Sequence, residues 1–144
     1  LDGQPGKVFA TPGWRVIKDR GSLLIEPVQE AVKPLLEIKE HPYTPDFMIP
    51  RNKATACFDA DKLQHPLSLR LCRQGDSFVP FGMKGRKKVS DYLTDRKFSL
   101  LRKERQWVLC CGDDIIWLVG ERVDNRFRID EKTRKVLVVS TIGQ

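Results

Sequence analysis

The sequence predicts an α+β fold weighted to β, a single domain in which short helices pack on a mostly antiparallel or mixed sheet. Three observations carry this. "HPLSLRLCR" alternates Leu67, Leu69 and Leu71 with Ser68, Arg70 and Cys72, the period of a half-buried strand. "WVLCC" and "IIWLV" flank Gly-Asp-Asp, two apolar runs around a turn. Helical spacing is brief, at Val89, Tyr92 and Leu93.

The elements follow in order. Residues 14–27, "WRVIKDRGSLLIEP", read as a hairpin whose "DRGS" turn places Gly21 where positive φ is accepted. Val28, Ala31, Val32, Leu35 and Leu36 imitate a helical stripe, but Pro34 falls inside it and Pro42, Pro45 and Pro50 follow. That stretch is therefore assigned a strand at Leu35–Lys39 and a loop at His41–Pro50. Residues 1–50 form a hairpin and a connecting lead-in, and residues 51–144 the domain proper. "ATACFD" is a strand, and "QGDSFVPFGMKG" is loop by its glycines and proline. "KVSDYLTDRK" is a short helix, with Asp91 early and Arg96 and Lys97 late, as the helix dipole favours. "SLLRKERQ" adds a second helical turn. In the hairpin after it, Trp107 and Trp117 are assigned to the core, while Trp14 is left open. Adjacent Cys110 and Cys111 point to opposite faces, one inward and one outward. Lys135–Val139 closes the chain as a strand buried on both faces.

With 40% apolar and 31% charged residues among 144, the composition is that of a water-soluble globular domain. No apolar run approaches the ~20 residues of a membrane span, and the start has no signal-peptide pattern. The first residue is Leu1 rather than Met, which reads as a piece of a longer protein. The four cysteines form no C-x-x-C pair, and His41 and His65 lie near no cysteine pair, so a zinc site is not expected. They read as reduced thiols of a cytoplasmic protein, used as small apolar residues.

Charge is the informative feature. The net charge is +7, and the window from Arg70 to Arg105, with eleven basic and four acidic residues, holds that entire excess. The basic residues are Arg70, Arg73, Lys84, Arg86, Lys87, Lys88, Arg96, Lys97, Arg102, Lys103 and Arg105. Such a concentration is the footprint of a polyanion partner. Gly82 and Gly85 would let the backbone bend tightly and approach a ligand, and N–H groups at that bend and at the following helix start favour anions. Cations at this spacing can follow successive phosphates of a nucleic-acid backbone. Phe78, Phe81 and Tyr92 are assigned to the core, which favours recognition of a duplex by shape over capture of unpaired bases.

No catalytic set is expected. The sequence lacks G-x-x-x-x-G-K-[ST], G-x-G-x-x-G and G-x-S-x-G. Asp113 and Asp114 read as a solvated turn rather than a metal pair. Two alternatives stay open at the level of residues: a small nucleotide site at Gly82–Gly85, and a basic face that docks an acidic protein.

Four stretches then carry a resemblance: "ADKLQHPLSLR", "RQGDSFVPFGMKGRKKVSDYLTDRKF", "LLRKERQWVLCCGDDIIWLVGERVDNRFRI" and "TRKVLVV". From about Ala60 to Val139 the chain resembles the C-terminal domain of bacterial tRNA(Ile)-lysidine synthetase. "GKVFATPGWRVIKDRGSLLIEP" is similar to the segment preceding that domain in longer members. The resemblance implies a parent ligase that uses ATP and Mg to join lysine to C2 of the wobble cytidine of an isoleucine tRNA, through an adenylated cytidine. It places catalysis in an N-terminal domain with an S-G-G-x-D-S phosphate loop. That motif is absent from residues 1–144, which implies no catalytic residue and no cofactor in this chain, inactivity alone, and two partners: the tRNA, including its acceptor-stem end, and the catalytic domain. It extends the candidate RNA contacts, which already include Gly85, to Arg122, Arg126 and Arg128.

Overall fold

The computed structural model describes residues 8–11, 14–19 and 22–27 as strand backbone, and residues 32–50 and 52–142 in full. β1 (Val8–Thr11), β2 (Trp14–Asp19) and β3 (Ser22–Pro27) form an antiparallel sheet in that order, with Asp19 paired to Ser22; Arg20 and Gly21 of the expected "DRGS" turn lie outside the described residues. The side chain of Trp14 lies outside the described residues.

Every pairing among the described strands is antiparallel. The middle layer is a four-stranded sheet of β6 (Leu67–Leu71), β9 (Trp107–Cys111), β10 (Asp114–Leu118) and β11 (Arg122–Val123), ordered β11-β10-β9-β6. Against one face lies a three-stranded sheet ordered β4-β12-β5, from β4 (Leu35–Pro42), β5 (Thr55–Asp59) and β12 (Lys135–Ile142). Against the other lie α1 (Val89–Asp95) and α2 (Leu100–Glu104), reached through a two-residue ribbon of β7 (Ser77–Phe78) and β8 (Lys87–Lys88).

The layers enclose two cores. Phe78, Val89, Tyr92, Leu93, Phe98, Val108, Cys110, Ile115 and Leu118 fill the space under α1. Ala56, Phe58, Leu109, Cys111, Ile116, Trp117, Phe127 and Val139 fill the space between the sheets. Because β9 is covered on both faces, Cys110 and Cys111 are both buried, where alternation alone predicted one outward. Burial pushes the Cys110 thiol up, and raises that of Cys72, on the rim of the helix-side core, to about 11. Removing a fully buried side chain such as Leu93 costs about 2–5 kcal/mol.

A bulge between Ile115 and Trp117 breaks the alternation of β10. Ile116 and Trp117 consequently share one core while Ile115 and Leu118 share the other. Trp107, expected in the core, is half-buried at the end of β9. The turn before β10 needs only Gly112 and Asp113, with Gly112 at φ 60° and Asp114 already paired to Cys111.

Two predicted elements come out longer. β4 continues past Lys39 to Pro42, because all eight residues find partners on β12. This strand lies in the lead-in segment, which thus shares a sheet with the domain proper. β12 itself runs to Ile142, and its two faces are covered unevenly: Val136 and Val139, on opposite faces, are fully buried, while Leu137 and Val138 are half-buried.

α1 buries Val89, Tyr92 and Leu93 as their spacing predicts. It ends where Phe98 N–H donates to the Leu93 carbonyl and Lys97 N–H to that of Thr94, both at 2.9 Å. This closing pattern needs a left-handed residue, and Lys97 takes it at φ 66°. Phe98 then turns inward beneath the helix. Ser99 starts α2 by accepting the Arg102 N–H on its hydroxyl at 3.2 Å.

Candidate nucleic-acid interface

The basic stretch is built around one pinned turn. Pro80–Met83 form a type II turn, with the Met83 N–H donating to the Pro80 carbonyl at 2.9 Å and Gly82 at φ 87° in the third position. The segment after β11 holds it. Phe81 N–H donates to the Val123 carbonyl at 3.0 Å, Gly82 N–H to Asn125 Oδ1 at 3.1 Å, and Val79 N–H to Asp124 Oδ2 at 2.9 Å. Asn125 N–H returns to the Val79 carbonyl at 2.7 Å. The N–H groups of Phe81, Gly82 and Met83 are therefore consumed internally, and the expected backbone cradle for an anion loses three of its donors. Gly85, unlike Gly82, has no positive φ.

Asp124 is the buried anchor of this arrangement. It is completely buried and also accepts the Arg126 N–H at 2.8 Å, Nε at 3.0 Å and Nη2 at 2.9 Å. Asp124 accordingly holds the Arg126 guanidinium further into its charged form. Arg126 also reaches Asp114 at 3.4 Å, and Arg128 donates to the Asn125 carbonyl at 2.9 Å. Both arginines thus lie along the clamp.

The remaining cations surround α1. Arg70 makes a two-pronged contact with Asp76 at 2.8 and 3.0 Å, and Asp76 raises the guanidinium pKa. The Asp76 carbonyl receives the N–H of Val89, the first residue of α1, which brings Arg70 and Arg73 to that end of the helix. Arg86 donates to Ser77 Oγ at 3.0 Å, and Lys87 pairs with Asp95. Lys103 donates to the Thr94 and Ser90 hydroxyls on the outer face of α1. Arg102 lies 3.7 Å above the Phe98 ring centroid, and Arg122 5.9 Å from that of Tyr92. Arg105 is exposed at the end of α2. Arg96 pairs with Glu121 at 2.9 Å, which raises its pKa.

The side chains of Arg73, Lys84, Lys88 and Lys97 are exposed and make no hydrogen bond or ion pair among the described residues. The chemistry of this surface is that of fixed cations held by paired neighbours, with several charges left for a ligand. Among the described residues no group of three metal-binding side chains occurs, and no helix is long and apolar enough to cross a membrane.

Three features escaped the sequence. Asp124 and Asn125 clamp the turn; the signal was an Asp two residues before an Arg, able to cap it locally. Phe81 was assigned to the core, yet it is 50% exposed while Phe78 is fully buried. Its place at the second position of a Pro-Phe-Gly-Met turn directs it away from the fold. Phe81 also lines a cleft of about 310 Å³ with Lys53, Trp117, Arg122 and Val123. Lys53 is remote in sequence and carried no signal.

Comparison with known proteins gives a consistent result. The model of the TilS substrate C-terminal domain matches residues 67–140. The tRNA(Ile)-lysidine synthase of Bacteroides thetaiotaomicron is 60% identical over 146 residues, covering 99% of this chain and 34% of that protein. Its counterpart in Parabacteroides distasonis is 48% identical over 158 residues, covering 99% of this chain and 36% of that protein. The chain thus spans about a third of the length of these curated relatives. A crystal structure described as that of the TILS C-terminal domain is similar with a TM-score of 0.56 at 18% identity, covering 96% of this chain and 92% of the other. An N-terminal fragment of the phenylalanyl-tRNA synthetase β-subunit from Pyrococcus horikoshii shares the fold more narrowly, with a TM-score of 0.52 at 16% identity over 60% of this chain and 27% of the other.

Proposed function

The chain belongs to the TilS substrate C-terminal domain family, and from that premise we propose that it holds a tRNA for a ligase whose chemistry lies elsewhere in the same polypeptide. The relatives are tRNA(Ile)-lysidine synthases about three times as long. In this reading the isoleucine tRNA with its wobble cytidine is the substrate, and the rest of the polypeptide is the second partner and binds ATP and Mg. This domain turns over nothing alone.

The observation that carries the reading is the set of cations along α1 and the segment leading into it, in which the Arg73, Lys84, Lys88 and Lys97 side chains are exposed without partners among the described residues. Such contacts would grip the sugar-phosphate backbone and fix register without reading bases. A separate nucleotide site at Gly82–Gly85 gains no support, because three turn N–H groups are already bonded.

The test is a fluorescence titration of isoleucine tRNA against the chain and its Lys84→Glu/Lys88→Glu/Lys97→Glu variant. All three side chains are exposed, so the fold is retained, and affinity falls by about tenfold or more. Unchanged affinity in a variant with an unchanged melting curve would reject the reading.

A further inference from the structure

We propose that the cleft beside the pinned turn takes one unpaired nucleobase of the bound RNA, stacked on Phe81, with the adjoining phosphates met by Lys53 and Arg122. The proposal rests on the RNA-binding reading and adds a second mode of contact to it.

Phe81 is the starting point. Phe81 is half exposed on a turn whose backbone is fixed on both sides of it, by the bonds of Phe81 N–H to Val123 and of Gly82 N–H to Asn125. The turn thus fixes where the side chain emerges while leaving it half uncovered, which lowers the ordering cost of binding a flat partner. The cleft it lines has a volume of about 310 Å³, at the lower end of the roughly 300–1,000 Å³ of small-ligand sites. That space suits one base with its sugar and not a duplex.

The chemistry of the lining matches such an occupant. Trp117, almost wholly buried, and Val123 give an apolar surface beside Phe81. Asn52 Oδ1 is taken by the Ala54 N–H at 3.0 Å, which leaves its amide NH₂ to donate to a base edge, and the Thr55 hydroxyl beside it is shared with Ser140 at 3.3 Å. Lys53 and Arg122 are exposed cations at the same cleft. Glu121 also lines it, but its carboxylate is taken by Arg96 at 2.9 Å and offers a phosphate little repulsion. A base inside a duplex cannot present its face to a side chain, so the ligand is a nucleotide outside the pairing, from a strand end or a bulge.

The experiment compares RNA duplexes of one sequence that are blunt, carry a one-nucleotide 3′ or 5′ overhang, or carry a single-nucleotide bulge, with 2-aminopurine at the unpaired position. The arm that binds more tightly than the blunt duplex, with quenched 2-aminopurine fluorescence, identifies the source of the base. Phe81→Ala should remove that advantage, about tenfold, while leaving blunt-duplex affinity unchanged, and Phe81→Trp should restore it. Equal binding of all four duplexes, or an equal loss for all with Phe81→Ala, overturns the base site and leaves the backbone reading standing. Failure of every duplex to bind overturns both.

Discussion

At the scale of single residues, Lys97 shows a conflict between local preference and placement. It closes α1 at φ 66°, a conformation that disfavours any residue with a Cβ. Glycine would fit better, and Lys97→Gly should stabilise the chain by about 1 kcal/mol in urea titrations. The same change should weaken tRNA binding and flatten its salt dependence by about 0.7–0.9 in log–log slope, the value of one phosphate contact. Gain in stability without loss of affinity would leave Lys97 no part in binding. The helix that ends at Lys97 was legible, because Val89, Tyr92 and Leu93 repeat at helical spacing. The outward turn of Phe81 was not, because an aromatic residue between Pro80 and Gly82 reads equally as core or surface until the turn type is known.

At the scale of elements, the clamp after β11 decides where the basic turn sits. Asp124 is fully buried and joins the turn through Val79 N–H to the guanidinium of Arg126. Asp124→Ala would leave the Val79 N–H without its acceptor and Arg126 with only the longer contact to Asp114, a loss of about 2–3 kcal/mol in chemical denaturation. A loss under about 1 kcal/mol would show that the turn is held by its other bonds alone. Strands with clean alternation or turn chemistry, such as β6 and the β9–β10 hairpin, were legible from sequence. The burial of both Cys110 and Cys111 was not, because alternation says which residues share a face but not whether both faces are covered. The extension of β4 to Pro42 likewise depends on β12, about a hundred residues away, and no local signal carries it.

At the scale of the whole molecule, the strands and helices from β4 to β12 form three layers, and the helical side carries the charge. The excess between Arg70 and Arg105 equals the net charge of +7, and folding brings most of those residues to α1, α2 and the segment leading into them, while Asp124 pairs within the clamp. The concentration was legible in the sequence; which cations are held by carboxylates was not, since Glu121 meets Arg96 and Asp95 meets Lys87 only through the fold. The central claim is that the cations on this side whose side chains have no partner among the described residues grip an RNA backbone. The most direct measurement is the salt dependence of isoleucine tRNA affinity for the chain and for its Lys84→Gln/Lys88→Gln/Lys97→Gln variant. Four contacts predict a log–log slope of about −3 for the unaltered chain, and the variant should lose about two to three units of it with an unchanged melting temperature. A slope shallower than about −1 in the unaltered chain, or the same slope in both proteins, would contradict the account.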